Sequence, residues 1–349
     1  MKRILLPLFA IICATVITTS SLAQSLDNPG DYMTAIAKAH LEMNKKYMAY
    51  MSASAHGGRM KKIENLREQV LESITASRYQ TIDIPIYKGD NSLRQSSIDY
   101  IQLTYNIFNE DYSKIVNMQE IAEQSFDEMQ AYLLLQEKSN EKIKEASDKM
   151  TQASKTFAAK YNVKLIESKD ELSEKMEVAG KLNRYRNDVY LLFFKCNWQE
   201  GEIIKAINAK KVNDVEQGRN SLIRFAEEGL KALDTLKTFQ GDGSLANACR
   251  QALQFYKRTA EVDLPKTTEY FLKVENFEKI KKSMDSKDAN SRTKEDIDSY
   301  NKAVNEMNTA VNSYNQTNNT VNNKRSQVLQ DWQDTETNFN NAHMPYYKS

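Results

Sequence analysis

The chain has 349 residues, with 48 lysines and arginines against 47 aspartates and glutamates, so its formal net charge at pH 7 is +1. This balance provides no net field to attract a nucleic acid, and nucleic-acid binding is therefore disfavoured. Only 10 glycines and 5 prolines are present, which are too few turn signals for a β-sandwich or β-barrel. The composition predicts an all-α protein built from long helices.

The first 23 residues have the pattern of a secretory signal peptide. Lys2 and Arg3 precede an apolar stretch over residues 4–17, and small residues follow at Ser21 and Ala23. A charged start, a short apolar centre and small terminal residues are what signal peptidase requires, so we predict cleavage after Ala23. The apolar stretch is too short for a stable spanning helix. We therefore expect an extracytoplasmic location (periplasmic, surface-associated or secreted) and not an integral membrane protein.

Two segments of similar sequence, called here the repeated phrase, occur 152 positions apart: YKGDNSL at Tyr87–Leu93 and FQGDGSL at Phe239–Leu245. At the same offset Asp111 aligns with Asp263, and no gap is needed between the two matches. A self-match at constant spacing indicates an internal duplication. We predict helical repeat unit 1 over residues 24–165 (copy one) and helical repeat unit 2 over residues 166–349 (copy two), each an antiparallel four-helix bundle.

The duplicated residues are of types that start and stop helices. The glycine of each phrase would supply a backbone angle that a side chain resists, and the aspartate or serine would cap the next helix. Binding of an anion at these helix starts is the alternative, but the aspartates would repel it. Asp111 and Asp263 are predicted to end the third helix of each copy, with Pro265 in the first turn of the next helix. The predicted structural turns and caps are Gly89, Asp90, Ser92, Asp111, Gly241, Asp242, Ser244 and Asp263.

Apolar residues recur every three or four positions along most of the chain, which is the period of a helix with one buried face. The segment 81–88, TIDIPIYK, is instead predicted to be extended because it alternates β-branched residues around Pro85. In copy one the predicted helices cover 31–56, 59–79, a third that runs through Phe108 and ends near Asp111, and 112–161. In copy two they begin near Asp170 and at Val212, an exposed loop follows at 283–293, and a long helix ends the chain.

The last helix carries a heptad pattern from Ile297 to Ala342. A narrow apolar stripe of this kind can pack inside an intramolecular bundle or along a second protomer, and we favour the bundle because the preceding helices also need cover. Asn318 and Arg325 interrupt the stripe. They either fix the register of the helix or mark where it extends beyond its neighbours.

Two cysteines, Cys196 and Cys249, remain after removal of the leader, and both lie in copy two. In an oxidising compartment they are candidates for a disulfide, with two free thiols as the alternative. Copy one has Ser97 at the position of Cys249, so a bond would be a local addition to the repeat. The wide spacing and the lack of a nearby histidine argue against a zinc site or a thiol nucleophile.

His40, Met43 and Met51 share one stripe of the first helix, and imidazole with thioether groups could form a copper site. Core filling is the favoured interpretation, because copy two has no counterpart and methionines on such a stripe usually pack inside. No catalytic or nucleotide-binding motif is present, and adjacent acidic residues on a helix do not converge. We therefore expect neither an enzyme nor a bound cofactor.

The leader ending in LAQ, the helical copies, the GDxSL turn and the phrase YNIFNEDYSKIV at Tyr105–Val116 together resemble a family of uncharacterised bacterial helical surface proteins. The resemblance covers most of the mature chain and implies a bacterial envelope or secreted location, but it implies no reaction, substrate or cofactor. We expect an interaction or structural protein whose partner is an unknown protein or envelope component. The alternative is a protein that binds a small ligand or copper-type metal inside one bundle.

Overall fold

The computed structural model describes residues 26–56, 59–111, 125–165 and 171–348. The predicted leader and the predicted start of the fourth helix at 112–124 lie outside these ranges. Across the described residues the regular structure is helical, apart from two isolated β-bridges. The prediction of an all-α helical bundle is confirmed.

The helices follow the duplicated order expected from the sequence. Copy one contains α1 (Pro29–Ala55), α2 (Met60–Asp83), α3 (Ser92–Asn106) with a π-helical turn at Ile107–Asp111, and α4 (Phe126–Lys160). Copy two contains α5 (Glu171–Asn208), α6 (Val212–Thr235), α7 (Ser244–Arg258) with a π-helical turn at Thr259–Asp263, α8 (Leu264–Asp285), a 3₁₀ turn at Ala289–Ser291 and α9 (Lys294–His343).

The central part of each copy has helices of the same length in the same order. The bounds of α2 and α6, of α3 and α7, and of the two π-turns all differ by 152 residues, the offset of the repeated phrase. Between the helices, Tyr87 bridges to Asp90 and Phe239 bridges to Asp242. The duplication therefore extends over two helices, the turn that joins them and a π-turn.

The Gly-Asp turns reverse the chain with a left-handed glycine followed by a capping aspartate. Gly89 has φ +81° and Gly241 has φ +85°. Oδ1 of Asp90 accepts the backbone N–H of Ser92 at 2.9 Å, and Oδ1 of Asp242 accepts that of Ser244 at 2.7 Å. The aspartates thus satisfy a free N–H at the helix start, while the serines are the first helical residues.

The described residues form two compact units, one comprising those up to Asn187 together with those from Phe339 onward (unit 1), the other comprising Asp188–Asn338 (unit 2). The boundaries of the units differ from those of the sequence copies, since residues 171–187 and 339–348 belong to unit 1. In unit 1, α2 packs between α1 and α3, and α3 packs on α4. In unit 2, α7 packs on α6.

An aromatic cluster holds the first Gly-Asp turn in unit 1. The rings of Tyr32, Tyr87, Phe157 and Tyr161 lie with centroids 4.6–5.4 Å apart. The Tyr87 hydroxyl donates to the backbone carbonyl of Asp27 at 2.8 Å. Such ring pairs add roughly 0.5–1.5 kcal/mol each beyond the burial of their area. The turn is therefore fixed against α1 and α4.

The second helix extends further than the sequence pattern indicates. We predicted an extended segment from Thr81, but α2 continues to Asp83. Thr81 is buried and its hydroxyl donates to the carbonyl of Ser77 at 2.8 Å, as a helical threonine does. The helix ends at Ile84 with ψ 124°, because Pro85 disfavours a helical conformation in the residue before it.

The predicted helix end at Asp263 is wrong. The chain stays helical there, and the N–H of Leu264 donates to the carbonyl of Thr259, five residues earlier. The extra residue in this π-turn changes the direction of the following side chains without ending the helix. Asp111 ends the corresponding π-turn in copy one, and the residues after it lie outside the described ranges.

The heptad stripe of α9 is covered within unit 2 from Val321 onward. Val321, Val328 and Trp332 are buried, and the Trp332 ring stacks on Phe193 of α5 at 4.3 Å. Ile297, at the start of the stripe, is 43% exposed. The later part of the stripe therefore packs inside the chain, as the bundle interpretation requires, while Tyr300, Met307 and Tyr314 in the earlier part are half-buried.

Replacing either turn glycine with alanine should destabilise the protein by about 1–2 kcal/mol, since φ near +80° is strained for a residue with a Cβ atom. A Cβ at Gly89 or Gly241 would meet no atom within 4 Å, so the cost would come from the backbone alone. Gly201 is the matched control, because a Cβ there also meets nothing but the residue is inside α5. Gly201→Ala should stabilise by up to about 1 kcal/mol. Urea unfolding measures the free energy of unfolding of the three alanine variants. Equal changes at Gly89, Gly241 and Gly201 would contradict the role of the positive φ at the turn glycines.

Candidate functional site

Unit 2 contains a cleft of about 230 Å³ between α5, the second π-turn with the start of α8, and α9. Part of its lining, called here the apolar wall, consists of Ile203, Leu264 and Val321, one from each of α5, α8 and α9. The remainder is polar, with carboxylates, hydroxyls and amides contributed by residues far apart in the sequence: Glu200, Thr259, Asp263, Thr267, Asn318 and Arg325. A concave surface with an apolar wall and a few convergent polar groups is the usual form of a small-ligand site.

Two buried side chains in the cleft have polar atoms without a hydrogen-bond partner. Oγ1 of Thr259 is one, and this residue is 2% exposed. Oδ2 of Asp263 is the other, in a residue that is 7% exposed. By contrast, the hydroxyls of the buried Thr81 and Thr104 donate to the carbonyl four residues earlier. Because leaving a buried polar atom unpaired costs about 1–3 kcal/mol, these two atoms need an explanation.

Two exposed cations lie near Asp263 without forming a hydrogen bond to it. Arg258 Nη1 is 3.8 Å from Oδ2, and Lys266 Nζ is 4.0 Å from Oδ1. Ion pairs with such exposed partners contribute little, about 0–1 kcal/mol. Oδ2 of Asp263 therefore keeps its capacity to accept a hydrogen bond from a group in the cleft.

The other charges of the cleft are paired with each other. Arg325 Nε lies 3.0 Å from Oε1 of Glu200, and a second guanidinium nitrogen donates to Oδ1 of Asn322. Burial raises the pKa of Glu200, while the Arg325 charge acts in the opposite direction and reduces that rise. Since these two charges offset each other, Asp263 is the remaining charged residue among those that line the cleft.

The two cysteines of copy two are free thiols buried in unit 2. Burial raises the pKa of Cys196 to about 12 and also raises that of Cys249, with the Cys196 thiol adding to the effect at Cys249. Cys249 Sγ lies 3.6 Å from the carbonyl of Val189, to which it donates. The proposed disulfide is therefore not formed in this structure, and both sulfurs remain protonated at neutral pH.

Copy one has large apolar side chains at the positions that correspond to Thr259 and Ala260 of copy two. At the offset of 152, Ile107 stands where copy two has Thr259, and Phe108 stands where it has Ala260. Both Ile107 and Phe108 are buried, and the Phe108 ring meets the edge of Tyr47 at 5.4 Å. Copy two thus replaces a large apolar pair with a hydroxyl and a methyl group at the same backbone positions. The polar lining of this position belongs to copy two and not to the shared design.

Of the residues predicted as turns and caps, only Asp263 lines the cleft. Gly241, Asp242 and Ser244 lie at the Gly-Asp turn, which does not contribute to it. Sequence analysis missed Glu200 and Thr259, and it noted Arg325 only as an interruption of the heptad stripe. The exchange of Ile107 for Thr259 between the copies was the signal that could have revealed the cleft.

The residues considered for copper lie in the core of unit 1. Met43 and Met51 are buried, and Nε2 of the buried His40 is hydrogen-bonded to the Ser97 hydroxyl at 2.5 Å. Burial lowers the pKa of His40 to about 4, so its imidazole is neutral at pH 7. In the described parts of the chain, no group of three or more His, Cys, Asp or Glu residues is arranged to hold a metal ion. The structure gives His40 a packing role.

No known protein family, curated protein or solved structure matches this chain. The resemblance to bacterial helical surface proteins therefore stays a prediction. Among the described helices, none combines the length and the apolar character that crossing a bilayer requires.

Thr259→Val should stabilise unit 2 by roughly 1 kcal/mol, because it removes an unpaired buried hydroxyl at almost constant volume. Thr104→Val is the matched control, since it removes a hydroxyl that donates to the carbonyl of Tyr100. The free energy of unfolding of this control variant should fall by about 0.5–1.5 kcal/mol. Chemical denaturation of the two variants measures the difference. Destabilisation of both by the same amount would mean that Thr259 is satisfied in the folded protein.

The buried His40 should make the protein sensitive to acid. Its pKa of about 4 in the folded state lies below its ordinary value of 6.5, so the unfolded chain binds the proton first as pH falls. Stability is therefore retained above pH 6.5 and decreases by about 3 kcal/mol as pH falls from 6.5 to 4.

The double variant His40→Phe with Ser97→Ala removes the titrating group and its partner together. The unfolding free energy of this variant, measured between pH 7 and 4, should lose that part of the pH dependence. An unchanged slope would show that other groups cause the sensitivity.

Proposed function

We propose that this chain is a non-catalytic helical binding protein of the extracytoplasmic compartment, and that unit 2 holds a small polar ligand in its cleft. The observation that carries the proposal is that two residues lining the cleft, Thr259 and Asp263, each have a buried polar atom without a hydrogen-bond partner, Oγ1 and Oδ2 respectively. A bound ligand that hydrogen-bonds to both atoms would remove the cost of burying them. Delivery outside the cytoplasm rests on the predicted leader.

The charges of the cleft favour binding over catalysis. Acid–base chemistry with carboxylates requires two groups in different protonation states that reach the same substrate. Here Glu200 is engaged with Arg325, which leaves Asp263 as the carboxylate with an unpaired oxygen in the cleft. The buried thiols of Cys196 and Cys249 are held in the unreactive protonated form. We therefore assign no reaction to this site.

The size of the cleft limits the ligand. Sites for drug-sized molecules usually enclose about 300–1,000 Å³. At about 230 Å³, this cleft is smaller than those sites but larger than the cavity of about 150 Å³ that holds benzene, so it would hold a molecule of roughly ten heavy atoms or fewer. The ligand would lie against Ile203 and Val321 and present hydrogen-bonding groups to the π-turn.

A second candidate function is the structural or interaction role expected from the sequence, and the surface of α9 favours it. One face of this helix carries exposed asparagines that could bind another protein or an envelope component: Asn305, Asn312, Asn315, Asn319 and Asn323. Immobilised mature chain would test this role by capture from envelope extract. A specific partner should be lost when Asn312, Asn315 and Asn319 are changed to alanine, and it should be retained by Thr259→Ile. Capture that is unaffected by the asparagine changes would contradict this role.

Native mass spectrometry of the mature chain, exported to a bacterial periplasm and purified without denaturation, tests the cleft directly. We expect an additional mass that is retained under gentle ionisation and is absent from Thr259→Ile. That variant introduces the residue that copy one has at this position, and its larger apolar side chain would fill the site. Asp234→Asn is the control, because Asp234 is an exposed residue of α6 outside the cleft. An additional mass that is equal in all three proteins would contradict the proposal.

A further inference from the structure

We infer that the ligand of this cleft is a primary alkylammonium ion, with its nitrogen between Asp263 and Thr259 and its hydrocarbon part against the apolar wall. This inference rests on the proposed function and specifies the chemical class of the ligand. Three properties of the cleft support an alkylammonium ligand: the hydrogen-bonding capacity of the free polar atoms, the charge around them, and the apolar part of the lining.

The free polar atoms require a hydrogen-bond donor. A carboxylate oxygen such as Oδ2 of Asp263 only accepts hydrogen bonds, and the Thr259 hydroxyl can accept as well as donate. The Arg325 guanidinium directs two of its five N–H donors to Glu200 and Asn322 and has no hydrogen bond to Thr259 Oγ1 or Asp263 Oδ2. A primary ammonium group carries three donors and no acceptor. It could therefore satisfy both free atoms at once, whereas a carboxylate or phosphate group could not.

The charge of the cleft favours a cation. Glu200 and Arg325 offset each other, so the carboxylate of Asp263 supplies the remaining charge inside the cleft. Arg258 and Lys266 are exposed residues that do not line the cleft, and their nitrogens are 3.8 Å and 4.0 Å from the Asp263 oxygens. An ammonium group at hydrogen-bonding distance from Oδ2 would be closer to this carboxylate than either of them. Charge-assisted hydrogen bonds of this kind are about twice as strong as neutral ones.

The apolar wall favours an organic cation over a metal ion. Ile203, Ile204, Leu264 and Val321 line the same cleft and offer no ligand atom to a metal. Calcium and magnesium require about six oxygen ligands, and transition metals favour histidine or cysteine, which do not line the cleft. A short hydrocarbon chain would instead be removed from water against these residues, at about 25 cal/mol per Å² of apolar area buried.

The test uses the mature chain and three probes of similar size: n-butylammonium chloride, 1-butanol and sodium butyrate, all at one constant ionic strength. Binding is followed by isothermal titration calorimetry and by the methyl NMR signals of Ile203, Ile204 and Leu264. We expect butylammonium to bind with a dissociation constant in the roughly millimolar range that suits such a small molecule. Butanol should bind at least about tenfold more weakly, and butyrate should not bind.

Asp263→Asn is the decisive variant, because it removes the charge while keeping the shape of the side chain. It should weaken butylammonium binding at least about tenfold, since a hydrogen bond to a charged group contributes about 1.5–3 kcal/mol. Asp234→Asn, which removes an exposed charge from the same unit, should bind butylammonium like the parent chain. Circular dichroism of each variant establishes that the helices are intact, and Thr259→Val serves as a second cleft variant that should also weaken binding.

The outcomes separate the two proposals. If butanol binds as well as butylammonium, and Asp263→Asn leaves both unchanged, the ammonium assignment is overturned while ligand binding in the cleft stands. If butyrate binds best, the sign of the assigned charge is wrong. If no probe moves the methyl signals of the cleft and native mass spectrometry finds no additional mass, the proposed function fails together with this inference.

Discussion

Reversal of the chain between α2 and α3, and again between α6 and α7, depends on a backbone conformation near φ +80° that glycine adopts without strain. The carboxylate of the aspartate after each glycine then accepts the backbone N–H of the first residue of the next helix, Ser92 or Ser244. Because the turn fixes where α3 and α7 begin, it also fixes where each π-turn falls, fifteen residues further on. The position of Thr259 and Asp263 in the cleft is thus determined in part by Gly241, at the opposite end of α7.

The two copies use this backbone in different ways. Copy one places Ile107 and Phe108 in its core, and the Gly-Asp turn is reinforced by an aromatic cluster and by an ion pair between Asp90 and Lys160. Copy two has Thr259 and Ala260 at the positions of Ile107 and Phe108. It also encloses a buried ion pair, Glu200 with Arg325. Buried polar groups of this kind reduce stability relative to a well-packed apolar core. A duplicated fold can tolerate such a loss in one copy while the other keeps the tighter packing.

Helix periodicity and the constant offset allowed most of the fold to be predicted from the sequence. Long amphipathic segments such as α1 and α9 contain many turns, so their pattern is unambiguous, and the repeated phrase gave the register of the duplication. The errors occurred where tertiary contacts decide the backbone. Burial of Thr81 extends α2 beyond its apparent end, and the π-turn at Asp263 keeps the chain helical where aspartate and proline together suggested a break. The pairing of Glu200 with Arg325 in the cleft was not predictable by pattern, because these residues are 125 positions apart and meet only in the folded chain.

The buried thiols have a consequence for how this protein matures. Cys196 and Cys249 are free thiols and both are buried. A chain carried by its predicted leader into an oxidising compartment would therefore reach the native state without the help of a disulfide-forming catalyst. Accessible thiols in such a compartment are readily oxidised. The thiols of Cys196 and Cys249 are therefore open to oxidation only until folding encloses them. Fast packing of α5 against α7, the helices that carry these two cysteines, would protect the thiols from oxidation during folding.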